Sequence, residues 1–317
     1  MKVSVLVPVY NLGRFIEPCL LSLLEQQTNF DFEVIAIDDG SSDDSWAIMQ
    51  RLAQQWPQLK ALQNSQNMGL AKTQKRLLKE ASGEYIAYVD GDDLALPGKL
   101  QSQADYLDAH PGCTLCYHEA EVFDSDSNAV TSLYSRDYYN ARYIPQQAQV
   151  DHLIRYGCFP NASSIAFRRH GYLQEAVDEG CRIILDHPWH ILNTLYGKGS
   201  VDFIPEVYGR YRIHSHSFGG QTKRSSERRD QVLADQLRAC DNARPFGISE
   251  SVIAAGKAHY RFATALYFLK QGDVVRFECF INESVVDGWF FDERHQLAWE
   301  NRARPNIVAQ LLFGVSQ

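Results

Sequence analysis

No stretch of the 317 residues approaches the ~18 consecutive apolar positions of a membrane-crossing helix. The best candidate, residues 307–315, is half that length and contains Gln310. Basic, apolar and small-residue segments do not open the chain in series, so no secretory signal is expected. Cysteine gives no framework. The seven, at positions 19, 113, 116, 158, 181, 240 and 279, are odd in number and irregular in spacing. They read as reduced thiols of a cytoplasmic protein. Cys113 and Cys116 have zinc-knuckle spacing without a second pair, and Thr114 and Leu115 between them suit a buried strand. Excess basic charge is also missing: the net charge of −8 argues against a general nucleic-acid binder, though not against a local site for a small anion. No Gly-x-Gly-x-x-Gly follows the first strand-like run, which speaks against a Rossmann dehydrogenase. Internal repeats and heptad runs are absent.

The composition, 45% hydrophobic and 22% charged, is that of a globular protein large enough to bury its own core. Residues 3–9 form a nearly continuous β-branched run, as in a strand covered on both faces. Phe15, Ile16, Cys19, Leu20, Leu23 and Leu24 then recur at helical spacing. Residues 32–37, 60–63 and 84–89 read as further strands, with helices over 46–56 and 70–81 between them. This alternation predicts a parallel sheet with right-handed crossovers. A helix over 97–109 and a strand over 114–123 follow, and residues 124–150, polar and tyrosine-rich, read as a long loop. Strand-like pieces lie at 163–167 and 200–213, with a helix carrying Trp189 and Leu192 between them. From about 222 the pattern is mainly helical. The expected division is 1–222 (halves 1–110 and 111–222) and a helical extension, 223–317.

The polar clusters fall at the C-terminal ends of the predicted strands, where open parallel sheets bind ligands. They are Pro8, Val9, Tyr10 and Asn11; Asp38 and Asp39; and Asp90, Gly91, Asp92 and Asp93. Three carboxylates in four residues repel one another unless a hard divalent cation compensates them. Mn2+ or Mg2+ takes one or two such carboxylates and completes its shell with phosphate and water. The alternative is an acidic turn capping the next helix.

These segments, together with Asn67-Met68-Gly69-Leu70-Ala71 and residues 83–93, resemble family 2 glycosyltransferases in order and spacing. The likeness is strong over residues 1–110 and traceable to about 217. It implies a GT-A fold, an α/β architecture with a mostly parallel central sheet flanked by helices. It also implies inverting transfer of a hexosyl or N-acetylhexosaminyl group from a nucleotide-diphosphate sugar, usually UDP-linked, to a glycan or lipid-linked glycan acceptor. On this resemblance Pro8, Val9, Tyr10, Asn11, Asp38, Asp39, Asn67, Gly69 and Gly91 hold the nucleotide sugar. Asp92 is the direct metal ligand, with Asp90 closer to the ribose and His214 a third ligand or phosphate donor; His216 is the alternative to His214. Arg212 offsets diphosphate charge. Asp186 is the base, with an N-cap role as its alternative and Asp178 or Glu179 as fallbacks.

The chain departs from the family pattern at Leu185, where a glutamate is usual, and at Gln74 and Lys75, where an Arg-Asn pair is usual. Lys72, Lys75, Arg76 and Lys79 read as a solvated face. Residues 159–164 and His170 are candidates for the acceptor pocket, and Tyr134, Tyr138, Tyr139 and Tyr143 for sugar stacking or an ordinary loop. A phosphatase using Asp90 as nucleophile, and a degenerate binder of nucleotide sugar, are the rival readings. The tail is open to dimerisation, to packing on the catalytic part, or, through its basic start at 223–229, to peripheral contact with the inner face of a membrane. Bacterial surface polysaccharide synthesis is the setting the resemblance implies.

Overall fold

The computed structural model describes residues 1–214, 225–286 and 288–314. His216 and the expected boundary at 222 lie outside them. The first half alternates strand and helix as the pattern requires: β1 (Val3–Val9), α1 (Ile16–Leu24), β2 (Phe32–Asp38), α2 (Ser45–Gln55), β3 (Leu59–Gln63), α3 (Leu70–Glu80) and β4 (Tyr85–Tyr88). All seven residues of β1 are buried, and its side chains divide between two cores. Val5, Val7 and Val9 face Ile16, Leu20 and Leu23 of α1, whereas Leu6 faces Leu77 and Leu78 of α3 on the other side. That is the two-residue period of a strand sandwiched between helix layers.

The second half contains β5 (Leu94–Ala95), α4 (Lys99–Ala109), β6 (Cys113–Asp124), β7 (Val130–Leu133), β8 (Gln147–Ala148), α5 (Val150–Tyr156), β9 (Ile165–Arg168), α6 (Asp186–Gly197) and β10 (Ser200–Ile213). The sheet order is β3-β2-β1-β4-β9-β6-β10-β5, with β7 on β6 and β8 on β10. The sheet is mixed: β1 to β4 pair in parallel, β9 runs antiparallel between β4 and β6, and β6 and β10 are again parallel. Cys113 and Cys116 are buried within β6. Residues 124–150, expected as loop, instead contribute β7, β8 and a 3-10 turn at Ala141–Tyr143. Their strands are two to four residues long, too short for alternation to show.

Among the described residues five α-helices follow: α7 (Ser226–Asp241), α8 (Glu250–Lys270), α9 (Val274–Glu283), α10 (Glu293–Glu300) and α11 (Pro305–Phe313). Ser225, Asp273 and Asp292 cap α7, α9 and α10, each side chain accepting a backbone N–H of the first turn. The tail packs on the sheet-bearing part: Leu233 and Cys240 of α7 and Val252, Ile253 and Tyr260 of α8 share one core with Trp189 and Ile191 of α6. Gly256 lets α8 approach α5 closely, since a Cβ there would stand 2.4 Å from the Ile154 carbonyl oxygen. Phe262, Leu269, Phe277 and Ile281 belong to a separate distal core. Among the described residues no helix is long and apolar enough to cross a membrane.

Candidate active site

The acidic turn leaves β4 at the C-terminal edge of the sheet. Gly91 is required there: a Cβ would lie 2.8 Å from Leu12 Cδ1 and 3.0 Å from the Pro8 carbonyl oxygen. The turn therefore lies flat against the end of β1. The Asp93 N–H closes it onto the Asp90 carbonyl at 3.0 Å. The three carboxylates then diverge in role. Asp93 points inward and is buried, accepting the Ser163 hydroxyl at 2.5 Å and the Arg212 backbone N–H at 2.8 Å. Asp90 accepts the Tyr88 hydroxyl at 3.0 Å, and its own N–H donates to Ser163 Oγ at 3.0 Å. Asp92 faces His214, Oδ2 to Nε2 3.0 Å.

Burial and the Asp92 charge push the Asp90 carboxyl up to about 7, with a further contribution from Asp186. Burial raises Asp93 well above the usual carboxyl range, and Asp92 and Asp90 add to it. The site thus concentrates negative charge that its own hydrogen bonds only partly offset. Among the described residues no group of three or more His, Cys, Asp or Glu side chains is placed to hold a metal ion by itself. That arrangement suits Mn2+ or Mg2+, which need only one or two protein carboxylates beside phosphate oxygens and water. Asp92 and Asp90 supply the hard carboxylate oxygens that such a cation takes.

β10 delivers the basic residues. Its pairing with β5, Gly209 opposite Ala95 and Arg210 opposite Leu94, sets it beside the chain just past the acidic turn. Arg212 Nε donates to the Asp92 carbonyl at 2.6 Å, and its guanidinium lies over Phe15 and Phe123 at 4.9 and 4.6 Å. Phe15 also stacks against His214, with ring centroids 4.7 Å apart. The aromatic pair orients both basic groups.

The loops after β1 and β2 are tied together. Asn11 adopts φ +53°, a left-handed conformation that asparagine tolerates. Its N–H donates to Ser41 Oγ at 2.8 Å, and its Oδ1 accepts the Ser42 N–H at 2.9 Å. Asp38 is fully buried and accepts from Gln63 Nε2 at 2.9 Å and from the Ser41 N–H. Asp39 accepts from Asn64 Nδ2 at 2.6 Å and from the N–H groups of Met68 and Gly69 at 2.9 Å. These two carboxylates tie together the loops that follow β2 and β3, while Tyr10, 49% exposed, and Asn67 are open to solvent beside them. Gly69, at φ +87°, lets α3 begin behind them. Pro8 and Val9 end β1 beside these loops, and the Asp39 N–H donates to the Val9 carbonyl at 2.8 Å.

Asp186 occupies the first turn of α6, and the cap position itself is Leu185, which is buried. Oδ1 accepts the His187 N–H at 2.8 Å and Oδ2 lies 3.4 Å from Cys158 Sγ. Trp189, in the same turn of α6, lies edge-on to Tyr88, whose hydroxyl donates to Asp90, so the helix start lies beside the acidic turn. The fallback acids are engaged elsewhere. Asp178 is clamped by Arg238 at 2.7 and 2.9 Å and by Asn242 at 2.7 Å, and Glu179 pairs with Lys75. The solvated-face reading of α3 needs correction. Lys72 and Lys79 are exposed, but Arg76 donates to the Gln63 carbonyl and to Asn64 Oδ1 at 2.7 and 2.6 Å, and Gln74 is buried.

Sequence reasoning grouped Ser163 with the acceptor pocket and missed its position beneath the acidic turn. His170 bonds Asn193 on α6. Of the tyrosines, Tyr143 stacks on Tyr156 and packs on Phe291, Tyr139 meets His259, and Tyr134 lies edge-on to Tyr211 beside the site. Lys99, fully buried, donates to the Ser163 carbonyl at 2.8 Å and meets His118 at 2.7 Å; burial lowers its ammonium to about 7. Cys158 and His190 went unnoticed as well, and no spacing signal links them to Asp186.

The family model for glycosyl transferase family 2 matches residues 4–175, more than half of the chain. An uncharacterized protein of Mycobacterium tuberculosis is 30% identical over 213 residues, covering 65% of this chain and 57% of that protein. The chain therefore spans little more than half the length of that relative. The crystal structure of S. aureus TarS 1–349 in complex with UDP-GlcNAc superimposes with a TM-score of 0.66 at 16% identity, over 99% of this chain and 92% of that one. The mannosyltransferase PcManGT from Pyrobaculum calidifontis, in complex with GDP-Man and Mn2+, gives 0.62 at 16% identity over 99% and 87%. The shared architecture is the GT-A fold.

Proposed function

The chain belongs to glycosyl transferase family 2, and from that premise we propose that it is an inverting transferase. It moves a sugar from a nucleotide diphosphate, a UDP-sugar by preference, to a hydroxyl of a glycan or lipid-linked glycan acceptor. Assembly of a bacterial surface polysaccharide is the setting. One observation carries the reading: an acidic turn at the C-terminal edge of the parallel strands faces a carboxylate at the start of α6. The fold shared with a UDP-GlcNAc complex supports the donor class.

In this reading Tyr10 stacks on the base, and Asn11, Asn67, Gly69 and the loops tied by Asp38 and Asp39 shape the nucleoside site. Asp92, with Asp90 and His214, would hold Mn2+ or Mg2+. When bound, the cation neutralises charge on the departing diphosphate. Arg212, held on Phe15 and Phe123, adds positive potential at the same end. Asp186 takes the proton of the acceptor hydroxyl as its oxygen attacks the anomeric carbon from the face opposite the diphosphate. An α-linked donor thus yields a β-linked product.

The phosphatase reading fares worse. Asp90 accepts the Tyr88 hydroxyl, and burial with the Asp92 charge raises it to about 7, so part of it is protonated at neutral pH and unavailable as a nucleophile. The test is thermal stabilisation by UDP, GDP, dTDP and CDP, with and without Mn2+, for wild type and Asp92→Ala. A ligand at 100 times its Kd adds about 2.7 kcal/mol. A Mn2+-dependent shift for one nucleotide that disappears in the variant is the expected result. No shift with any nucleotide, in folded protein, overturns the donor assignment. Nucleotide binding without transfer to any acceptor would favour the degenerate binder, which the departures at Leu185 and Gln74 permit.

A further inference from the structure

Cys158 sits between the α6 carboxylate and a buried imidazole. Its Sγ is 3.4 Å from Asp186 Oδ2 and 3.4 Å from His190 Nδ1. The chain reaches this place by turning at Gly157 (φ +95°) after α5, and His190 stands four residues along α6 from Asp186, on the same face. His190 is fully buried and its Nε2 has no hydrogen-bond partner among the described residues. Burial lowers that imidazole to about 4, so it is neutral. Burial and the Asp186 charge together keep the thiol protonated.

One S–H has three neighbours in reach: the Asp186 carboxylate, the His190 ring and, farther off at 3.7 Å, the Pro160 carbonyl; the charged carboxylate is the strongest acceptor. Directed at the carboxylate it makes a charge-assisted bond, and sulfur then accepts the His190 Nδ1–H. Reversed, it would turn sulfur lone pairs on a carboxylate oxygen. The chain of donors thus runs from His190 to Cys158 to Asp186. Oδ1 is already fixed by the His187 N–H, so the thiol on Oδ2 fixes the plane of the carboxylate.

We propose that Cys158, oriented by His190, is a positioning residue that holds the Asp186 carboxylate in its proton-accepting orientation. The proposal rests on Asp186 being the base. Asp90, His187, Tyr88, Tyr134, Tyr211 and Tyr260 also face Asp186. Tyr134, Tyr138, Tyr139 and Tyr260 face the thiol. Burial holds these tyrosines protonated, which leaves Asp90 as the further carboxyl nearby.

Two measurements test it. Alkylation of Cys158 by iodoacetamide is followed against pH by peptide-resolved mass spectrometry in wild type and Asp186→Asn, with exposed Cys279 as internal reference. Loss of the anionic neighbour is expected to speed Cys158 labelling at pH 8 by about tenfold, with Cys279 unchanged. An unchanged Cys158 profile overturns the contact, whatever the activity does. The kcat pH profile is then compared for Cys158→Ala and Cys158→Ser at saturating donor and Mn2+. Alanine is expected to lower kcat about tenfold and move the acid limb upward, and serine, which still donates, to stay within about threefold of wild type. Equal losses in both variants with an unmoved limb would reduce Cys158 to packing. Full turnover by Asp186→Asn would refute the base assignment instead, and the labelling result would still stand on its own.

Discussion

Ser163 and Asp93, seventy positions apart, meet at 2.5 Å, and the same hydroxyl oxygen accepts the Asp90 N–H at 3.0 Å. One side chain thereby fixes the acidic turn at both ends. The buried Lys99 holds the Ser163 carbonyl from below. Ser163→Ala should leave a buried carboxyl and a backbone N–H without their partner, at a cost of about 1–3 kcal/mol. Urea denaturation of the metal-free protein measures that cost. Weaker Mn2+ activation should accompany it, because Asp90 and Asp92 lose their fixed spacing.

Removing a charge from the turn should have the opposite effect on stability. After burial, the Asp92 charge is the largest cause of the raised Asp90 carboxyl. Asp92→Asn should therefore raise the melting temperature of the metal-free protein at pH 7.5 while abolishing cation-dependent transfer. Calorimetry in EDTA, beside an activity assay with added Mn2+, separates the two.

The pH dependence has two limbs of opposite sign. Asp90 titrates near 7 folded and near 3.8 unfolded, so its contribution is full at low pH and is lost as pH rises through 7. His190, His295 and His259 are lowered by burial to about 4, 4 and 3, against 6.5 unfolded. Their contribution is present above 6.5 and is lost as pH falls toward 4. Metal-free protein should therefore be most stable on the acid side of neutrality. Asp90→Asn should steepen the loss of stability toward low pH and move the maximum upward, while a decline above it persists because Asp93 is still raised. Melting temperatures from pH 4.5 to 8.5 would show this.

The junction between tail and catalytic part is also open to test. Gly256→Ala drives a methyl group onto the Ile154 carbonyl, and overpacking of this kind costs about 1–3 kcal/mol. The expected outcome is a lower melting temperature in a single transition and reduced kcat, because α5 and α8 support the core beneath α6. A variant with separated transitions would instead make the tail an independent folding unit.

The sequence reports some of these features better than others. β1 and β2 are legible because both faces are largely buried, so apolar residues run nearly unbroken through them. The acidic turn is legible because three carboxylates cannot sit together without a reason. Asp186 is found through the resemblance, not through spacing. β7 and β8 are too short and too exposed for a period to appear. The antiparallel β9 cannot be told from a parallel strand, since direction leaves no mark on composition. Cys158, His190 and Ser163 are brought to their partners by the tertiary fold, and their contacts span separations that no local pattern encodes. Likewise the capture of Asp38 and Asp39 by Asn64, Gln63 and the 67–69 turn is invisible without coordinates.

The core that joins α7 and α8 to Trp189 limits how modular this enzyme family member can be. The helix bearing Asp186 has its opposite side in the tail, so Leu233 and Tyr260 share a core with the residues behind Asp186 although they are remote in sequence. Exchanging the tail for that of a relative would exchange half the bed on which α6 rests. Acceptor preference and tail sequence should therefore have to change together, and a hybrid made at the compositional break near 222 would need matching substitutions around Trp189 before it regained the parent's turnover.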